Sequence, residues 1–265
     1  MLVHPNFDPV ALDLGLLQVH WYGLMYVAGF SFAYWLCHRY AVAGKAPIKP
    51  EQVEGLIFWA AVGVFLGGRL GYVFFYSTLV EFLYNPAWVL RVWEGGMSFH
   101  GGLLGVLVAI LLFARRNGIA TGRLFDMVAL ATPIGLGFGR IGNFIGQELW
   151  GRPTDLPWGM VFPADPSGLA RHPSQLYQAC LEGLLLFLVL WLFTRRERPE
   201  WSVGGLFLVG YGCFRFLVEF VREPDAHIGF DLFGWLSRGQ ILSLPMIVAG
   251  VVLMVWAYRR ELSRS

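Results

Sequence analysis

Arg140, Asn143 and Glu148 fall close together in the run Gly139-Arg140-Ile141-Gly142-Asn143-Phe144-Ile145-Gly146-Gln147-Glu148-Leu149-Trp150-Gly151. A cation, a carboxamide and a carboxylate thus directly follow an apolar, glycine-rich stretch. A charged side chain at hydrocarbon depth costs roughly 2.5–3.5 kcal/mol on insertion scales, which makes ligand binding or catalysis the default reading. Other polar groups interrupt apolar stretches in the same way: Tyr22, Arg69, His100, and the pair Arg215 and Glu219. Arginine carries a planar fork of donors that suits phosphate, so several arginines at headgroup height point to a phospholipid headgroup. Asn143 has the chemistry to orient a ligand oxygen, and Glu148 to accept a hydrogen bond or a proton. Neither GxSxG, HxxxxD nor a paired-carboxylate metal pattern occurs. The attacking group is therefore expected from a substrate.

Each of these residues also has a plainer reading. Arg215 and Glu219 stand four apart on one helical face and can simply pair. Arg69 can snorkel to headgroups or pair with an acid. Tyr22 can belong with Trp21 to an interfacial aromatic belt. His100, in Ser98-Phe99-His100-Gly101-Gly102-Leu103, is either a satisfied structural imidazole or a base or phosphate contact beside a close-packed backbone.

The elements that must carry these groups read as membrane spans. The chain has 265 residues, 56% hydrophobic and 14% charged, against about 25% charged in soluble domains. Its net charge of +2 gives no reason to invoke nucleic acid. Cys37, Cys180 and Cys213 form no CxxC and read as packing residues, and the six histidines show no ligand spacing. Met1 to Val19 holds no Lys or Arg, so the first apolar run is expected to be a retained helix and not a cleaved signal.

Seven runs have the length needed to cross hydrocarbon about 30 Å thick. They are Val19–Cys37, Val53–Tyr76, Met97–Phe113, Leu124–Gly142, Gln175–Phe193, Val203–Phe220 and Ile241–Tyr258. The expected fold is an all-α polytopic membrane protein, a single domain over 1–265. Basic residues gather in threes on one side: Arg39, Lys45, Lys49; Arg115, Arg116, Arg123; Arg195, Arg196, Arg198; Arg259, Arg260, Arg264. The other side receives Arg91, Arg140, Arg152, Arg171, Arg222 and Arg238. The positive-inside rule then places the N-terminus outside and the C-terminus in the cytoplasm. The longest outer loop, about 143–174, is rich in proline and is either a cap over an outward-facing site or a plain connector. Counting about 1.5 Å per residue from the cytoplasmic ends puts Tyr22, Arg69, His100, Arg140 and Arg215 about 22–25 Å up. That common height predicts one polar chamber open toward the outer leaflet.

Several stretches resemble the bacterial prolipoprotein diacylglyceryl transferase family. They are His20-Trp21-Tyr22-Gly23-Leu24-Met25-Tyr26, His100-Gly101-Gly102-Leu103, Gly139 to Gly151, Arg171-His172-Pro173-Ser174-Gln175-Leu176-Tyr177 and Gly210-Tyr211-Gly212-Cys213-Phe214-Arg215. Together they span nearly the whole chain. One signature position differs: Gly146 stands where the family pattern has Asn, so that carboxamide is either absent or supplied by a neighbour such as Gln147.

The resemblance implies transfer of the diacylglyceryl group of phosphatidylglycerol to the lipobox cysteine thiol of a prolipoprotein signal peptide. A thioether forms and glycerol-1-phosphate leaves. It also implies a multi-pass protein of the bacterial inner membrane with no cofactor or metal. By analogy, Arg140 and Arg215 bind the phosphate and headgroup, and His100 is the base or organiser of the thiol. Tyr22, Arg69, Asn143, Glu148 and Glu219 complete the lipid-binding set. A phospholipid or anion transporter is the alternative from another class, but it needs polar groups along the whole path, and the inner halves of these spans hold few. A structural scaffold would leave the buried arginines unexplained.

Overall fold

A computed structural model describes residues 1–15, 18–76, 96–223, 230–232 and 236–263. Arg91 and Arg264, which entered the charge reading, lie outside the described residues. The described chain is mostly helical. Seven helices follow in order: α1 Trp21–Val42, α2 Val53–Tyr76, α3 Phe99–Arg116, α4 Thr121–Ile145, α5 Ser174–Phe193, α6 Ser202–Val218 and α7 Arg238–Leu262. Each lies on one of the seven apolar runs. Five of them, α2 (with the 3₁₀ turn Pro50–Gln52 before it), α3, α4, α5 and α7, are long and apolar enough to cross a membrane. α6 is a shorter apolar helix of 17 residues. α1 has the length but is diluted by Tyr22, Tyr26, Tyr34, His38 and Arg39.

The outward surfaces of these helices fit lipid. Leu184, Leu185, Leu188, Val189 and Leu192 are exposed on α5, as are Val248, Val251, Val252, Val255 and Trp256 on α7. Apolar patches of this extent mark surfaces that meet a membrane or a partner. The chain is a multi-pass membrane protein in this sense.

α2 keeps the expected limits Val53–Tyr76, whereas α3, α4 and α7 run past theirs at their C-termini. α3 and α7 continue to the paired arginines at their ends, and α4 starts three residues earlier and ends three later than its apolar run. Long basic side chains at a helix end reach the interface, so charge there does not stop the helix. α1 begins later than expected because Gln18–His20 is a strand (β3), paired antiparallel with Val10–Asp13 (β2). The expectation of an all-α chain is corrected to this extent. Leu2–Val3 (β1), Met160–Val161 (β4) and Ala170–Arg171 (β5) form a further sheet in the order β1-β4-β5. Phe230–Leu232 (β6) and Leu236–Ser237 (β7) form a last pair.

Two compact units divide the chain: Tyr34–Phe125 on one hand, Met1–Ala33 with Asp126–Ser265 on the other. In the first, a glycine seam joins α2 to α3. A Cβ on Gly63 would lie 2.7 Å from that of Ala109, and one on Gly71 would lie 2.6 Å from the Cα of Gly101. Gly63, Gly67 and Gly71 recur every four residues, facing Gly101, Gly105 and Ala109. Small residues at this spacing let two helices in lipid approach backbone to backbone. The glycine after His100 is thus needed for packing.

In the second unit, α4 packs on α1 where Gly135 meets Gly29, and on α5 where Gly137 meets Gly183. Asp126 in the second turn of α4 caps α6: its two carboxylate oxygens accept from the backbone of Trp201 and Gly204, each at 2.7 Å. The loop between α4 and α5 holds its own buried side chains. Phe162, directly after β4, is fully buried, with His4, Phe144 and Trp150 around it. Asp165 forms an ion pair with Arg171 and accepts from Ser167. Burial alone would raise the Asp165 carboxyl, but Arg171 and Ser167 outweigh it and hold the group below its ordinary value.

Candidate active site

The run from Gly139 to Gly151 is the end of a helix and a tight reversal. α4 carries Arg140 and Asn143 in its last turns. The chain then turns through Gln147 and Leu149, both at positive φ (54° and 57°). That reversal brings the Glu148 carboxylate back to Asn143, whose Nδ2 donates to Oε2 at 3.3 Å. α5 clamps the turn from its first residues: Gln175 Nε2 donates to the Glu148 carbonyl at 2.6 Å, and Ser174 Oγ to that of Leu149 at 2.9 Å. Asn143 is buried and Glu148 exposed.

Tyr22 packs on this helix end because residue 142 is glycine. A Cβ on Gly142 would sit 2.9 Å from the Tyr22 ring. The Tyr22 hydroxyl lies within electrostatic reach of both Arg140 and Glu148 and stands 3.5 Å from that of Tyr26. Tyr22 is 44% exposed.

Glu182 lies beneath Arg140. A π-helical turn, Ala179–Leu185, interrupts α5 there; such turns recur at functional positions. The Gly137–Gly183 crossing sets α4 against α5 one turn before Arg140 and one residue after Glu182. The Arg140 Nε and the Glu182 Oε2 end up 3.9 Å apart, with the carboxylate wholly buried. Gln178 donates to its other oxygen at 3.2 Å. Arg215 on α6 also acts on the Glu182 charge, and the Tyr211 hydroxyl, one turn earlier on α6, faces Arg140.

Arg215 and Glu219 form an ion pair, as their spacing suggested. Glu219 is 2% exposed and does more than pair once. It meets Arg222 at 3.2 Å and accepts from Ser237 Oγ at 2.6 Å. Ser237 in turn caps α7, sharing a capping box with Gln240. Arg152 donates to the backbone carbonyls of Glu219 and Arg222, at 3.3 and 3.0 Å. Arg152 thus ties the loop between α4 and α5 to the end of α6.

The structure therefore brings together Tyr22, Arg140, Asn143, Glu148, Arg215 and Glu219 within one compact unit. Arg69 and His100 belong to the other unit. Arg69 is buried, donates to the Gly96 carbonyl at 3.0 Å and lies by the Tyr72 ring. His100 is exposed in the first turn of α3, next to the Phe99 ring; Ser98 caps that turn by accepting from Gly101. Gln147 does not replace the carboxamide missing at Gly146. Its amide bonds Asn6 and the backbone of Ala164, at 2.9 and 3.0 Å. A Cβ on Gly146 would meet nothing closer than 3.4 Å, with the Glu148 side chain at 3.8 Å.

Sequence reading missed Glu182, Gln178, Tyr211, Arg222 and Ser237. Gln175, Gln178 and Glu182 at i, i+3 and i+7 make a polar stripe on one face of an otherwise apolar helix, and that stripe was the available signal.

The family model for prolipoprotein diacylglyceryl transferase matches residues 9–256. The chain is 59% identical to the phosphatidylglycerol--prolipoprotein diacylglyceryl transferase of Azotobacter vinelandii, over 98% of each protein. The protein of the same name from Ectopseudomonas mendocina is 56% identical, again over 98% of each. That from Teredinibacter turnerae is 59% identical, over 98% of this chain and 93% of the relative. With this full-length similarity and the arginine-lined site on α4 and α6, the chain belongs to the prolipoprotein diacylglyceryl transferase family.

Proposed function

We propose that this chain transfers the sn-1,2-diacylglyceryl group of phosphatidylglycerol to the lipobox cysteine of prolipoproteins. The thiolate sulfur attacks the glycerol carbon that bears the phosphate ester. The carbon–oxygen bond breaks with its electron pair on oxygen, and glycerol-1-phosphate leaves. A free thiol has a pKa near 8.5, so the step needs a proton acceptor or a positive field. His100 takes that role, and its exposed imidazole at the start of α3 is open to a substrate. The leaving phosphate gains charge as the bond breaks and needs donors already in place. Arg140 and Arg215 supply them; Tyr22, Arg69, Asn143, Glu148 and Glu219 bind or order the lipid's polar groups.

The enzyme crosses the bacterial inner membrane seven times as a single domain. Its N-terminus is periplasmic, its C-terminus cytoplasmic, and its site faces the outer leaflet under the cap-like loop 143–174. The triads of Lys and Arg between alternate spans support this orientation.

The observation that carries the reading is the pair of guanidiniums, from α4 and α6, that act on one buried carboxylate in a chain of this family. Purified protein, phosphatidylglycerol and a lipobox peptide should give a peptide whose mass rises by one diacylglyceryl group. An unmodified peptide alongside phosphatidylglycerol moved across vesicle bilayers would instead mark a transporter. His100→Gln should slow transfer far more than it weakens phosphatidylglycerol binding; equal loss of both would make His100 a binding residue only.

A further inference from the structure

Glu182 is a wholly buried carboxylate in the lipid-crossing helix α5 that none of the assigned roles uses. Gln178 satisfies one oxygen, and the other, Oε2, has no hydrogen-bond partner among the described residues. Arg140 stands 3.9 Å from it, an attraction without a hydrogen bond. Arg215 acts on the same charge from α6, and its Nη1 is likewise buried without a hydrogen-bond partner among the described residues. Glu219 opposes Glu182 from farther along α6, but Arg215 and Arg222 already pair with Glu219. Two guanidiniums therefore share Glu182, and each retains donors that the carboxylate does not occupy.

We propose that Glu182 is a positioning residue that balances the charge of the phosphate site. This rests on the reading that Arg140 and Arg215 bind phosphate. The substrate phosphodiester carries one negative charge. The product is a monoester, whose second ionisation near pH 6 brings it toward two at neutral pH. A site with both arginines uncompensated would hold the product more tightly than the substrate. With Glu182 between them, the site retains about one positive charge toward a phosphate, enough for the diester, while the fully buried carboxylate repels the second charge of the monoester. Glu182 thus directs Arg140 and also favours release of glycerol phosphate.

The test measures initial transfer rates of the full chain in detergent, with phosphatidylglycerol and a lipobox peptide, at increasing glycerol 1-phosphate. Glu182→Gln keeps the size and the bond to Gln178 but removes the charge. Its inhibition constant for glycerol 1-phosphate should fall about tenfold, since one unit charge at this range is worth at least that much in a poorly solvated site. Its kcat should fall while KM for phosphatidylglycerol holds or drops. Glu182→Asp, which keeps the charge, should stay close to the native inhibition constant.

Should Glu182→Gln not fold, Gln178→Glu carries the test. It adds charge one turn away on the same face, and its inhibition constant should rise. An unchanged or opposite inhibition constant in whichever variant folds overturns the proposal. Arg140→Ala separates the two levels of inference through direct binding of glycerol 1-phosphate, measured by calorimetry on folded protein without turnover. If it binds glycerol 1-phosphate as tightly as native protein, the phosphate role of Arg140 itself is wrong. If it loses that binding while Glu182→Gln leaves the inhibition constant unchanged, only the charge-balancing role fails.

Discussion

Glu219 meets two guanidiniums and a hydroxyl in a space where only glycine fits at position 239. A Cβ on Gly239 would lie 2.6 Å from the Glu219 carboxyl carbon. Gly239→Ala should therefore displace the carboxylate from Arg215 and destabilise the fold by about 1–3 kcal/mol, read as a lower thermal midpoint in detergent. Asp165 gives a pH prediction. Arg171 and Ser167 hold its carboxyl below the ordinary 3.8, so the folded state favours the ionised form. The stabilisation is complete above that ordinary value and is lost as pH falls through the lower folded value. Between pH 6 and pH 3 the native thermal midpoint should drop more than that of Asp165→Asn; equal drops would contradict the account. At this scale the sequence exposed what spacing alone reveals. Arg215 and Glu219, four residues apart, pair as their register demands. Glu182 stayed hidden because its partners come from other helices, and the crossing at Gly137 and Gly183 cannot be seen from the spacing within α5. Gly146 was visible as a departure, but the destination of the Gln147 amide depends on where Asn6 and Ala164 fold back.

At the scale of elements, helix ends and crossings carry the prediction. α6 begins at Trp201 with a positive φ of 77° and no cap of its own, so its first N–H groups rely on Asp126 of α4. Asp126→Ala should cost about 1–2 kcal/mol, the usual worth of a helix cap, while leaving the phosphatidylglycerol KM of the remaining folded protein near normal. A fall in midpoint of less than a degree would show that the cap is dispensable. The seam between α2 and α3 tolerates less: Gly71→Val puts branched carbon where the Gly101 backbone lies and should abolish accumulation of folded protein. All seven helices were legible, because apolar length is a strong signal in a chain with so few charges. The ends of α2 were legible too, but α3 and α7 run on at their C-termini, since terminal arginines continue a helix as readily as they end it. The short strands were missed for a different reason. β1 pairs with β4 across more than 150 residues of chain, and a strand of two residues has no periodicity to detect.

For the whole molecule, a protein whose lipid-facing helices carry a buried cluster of arginines and glutamates must recover the cost of desolvating them. Glu182, Glu219 and Asn143 recover part of it by pairing within the second unit, and the substrate phosphate supplies the remainder in the proposed reaction. The membrane class was legible from composition and the transfer chemistry from the resemblance. Which side chains share a charge became visible only with the helices packed. The most direct measurement is diacylglyceryl transfer to a lipobox peptide by purified native protein, Arg140→Ala and Arg215→Ala, each first shown to be folded by its thermal midpoint. Native protein should convert the peptide to the thioether, and both variants should lose transfer by at least about a hundredfold, the scale for removing a preorganised donor from a developing oxyanion. A folded Arg140→Ala or Arg215→Ala that turns over at near-native rate would contradict the phosphate-binding account.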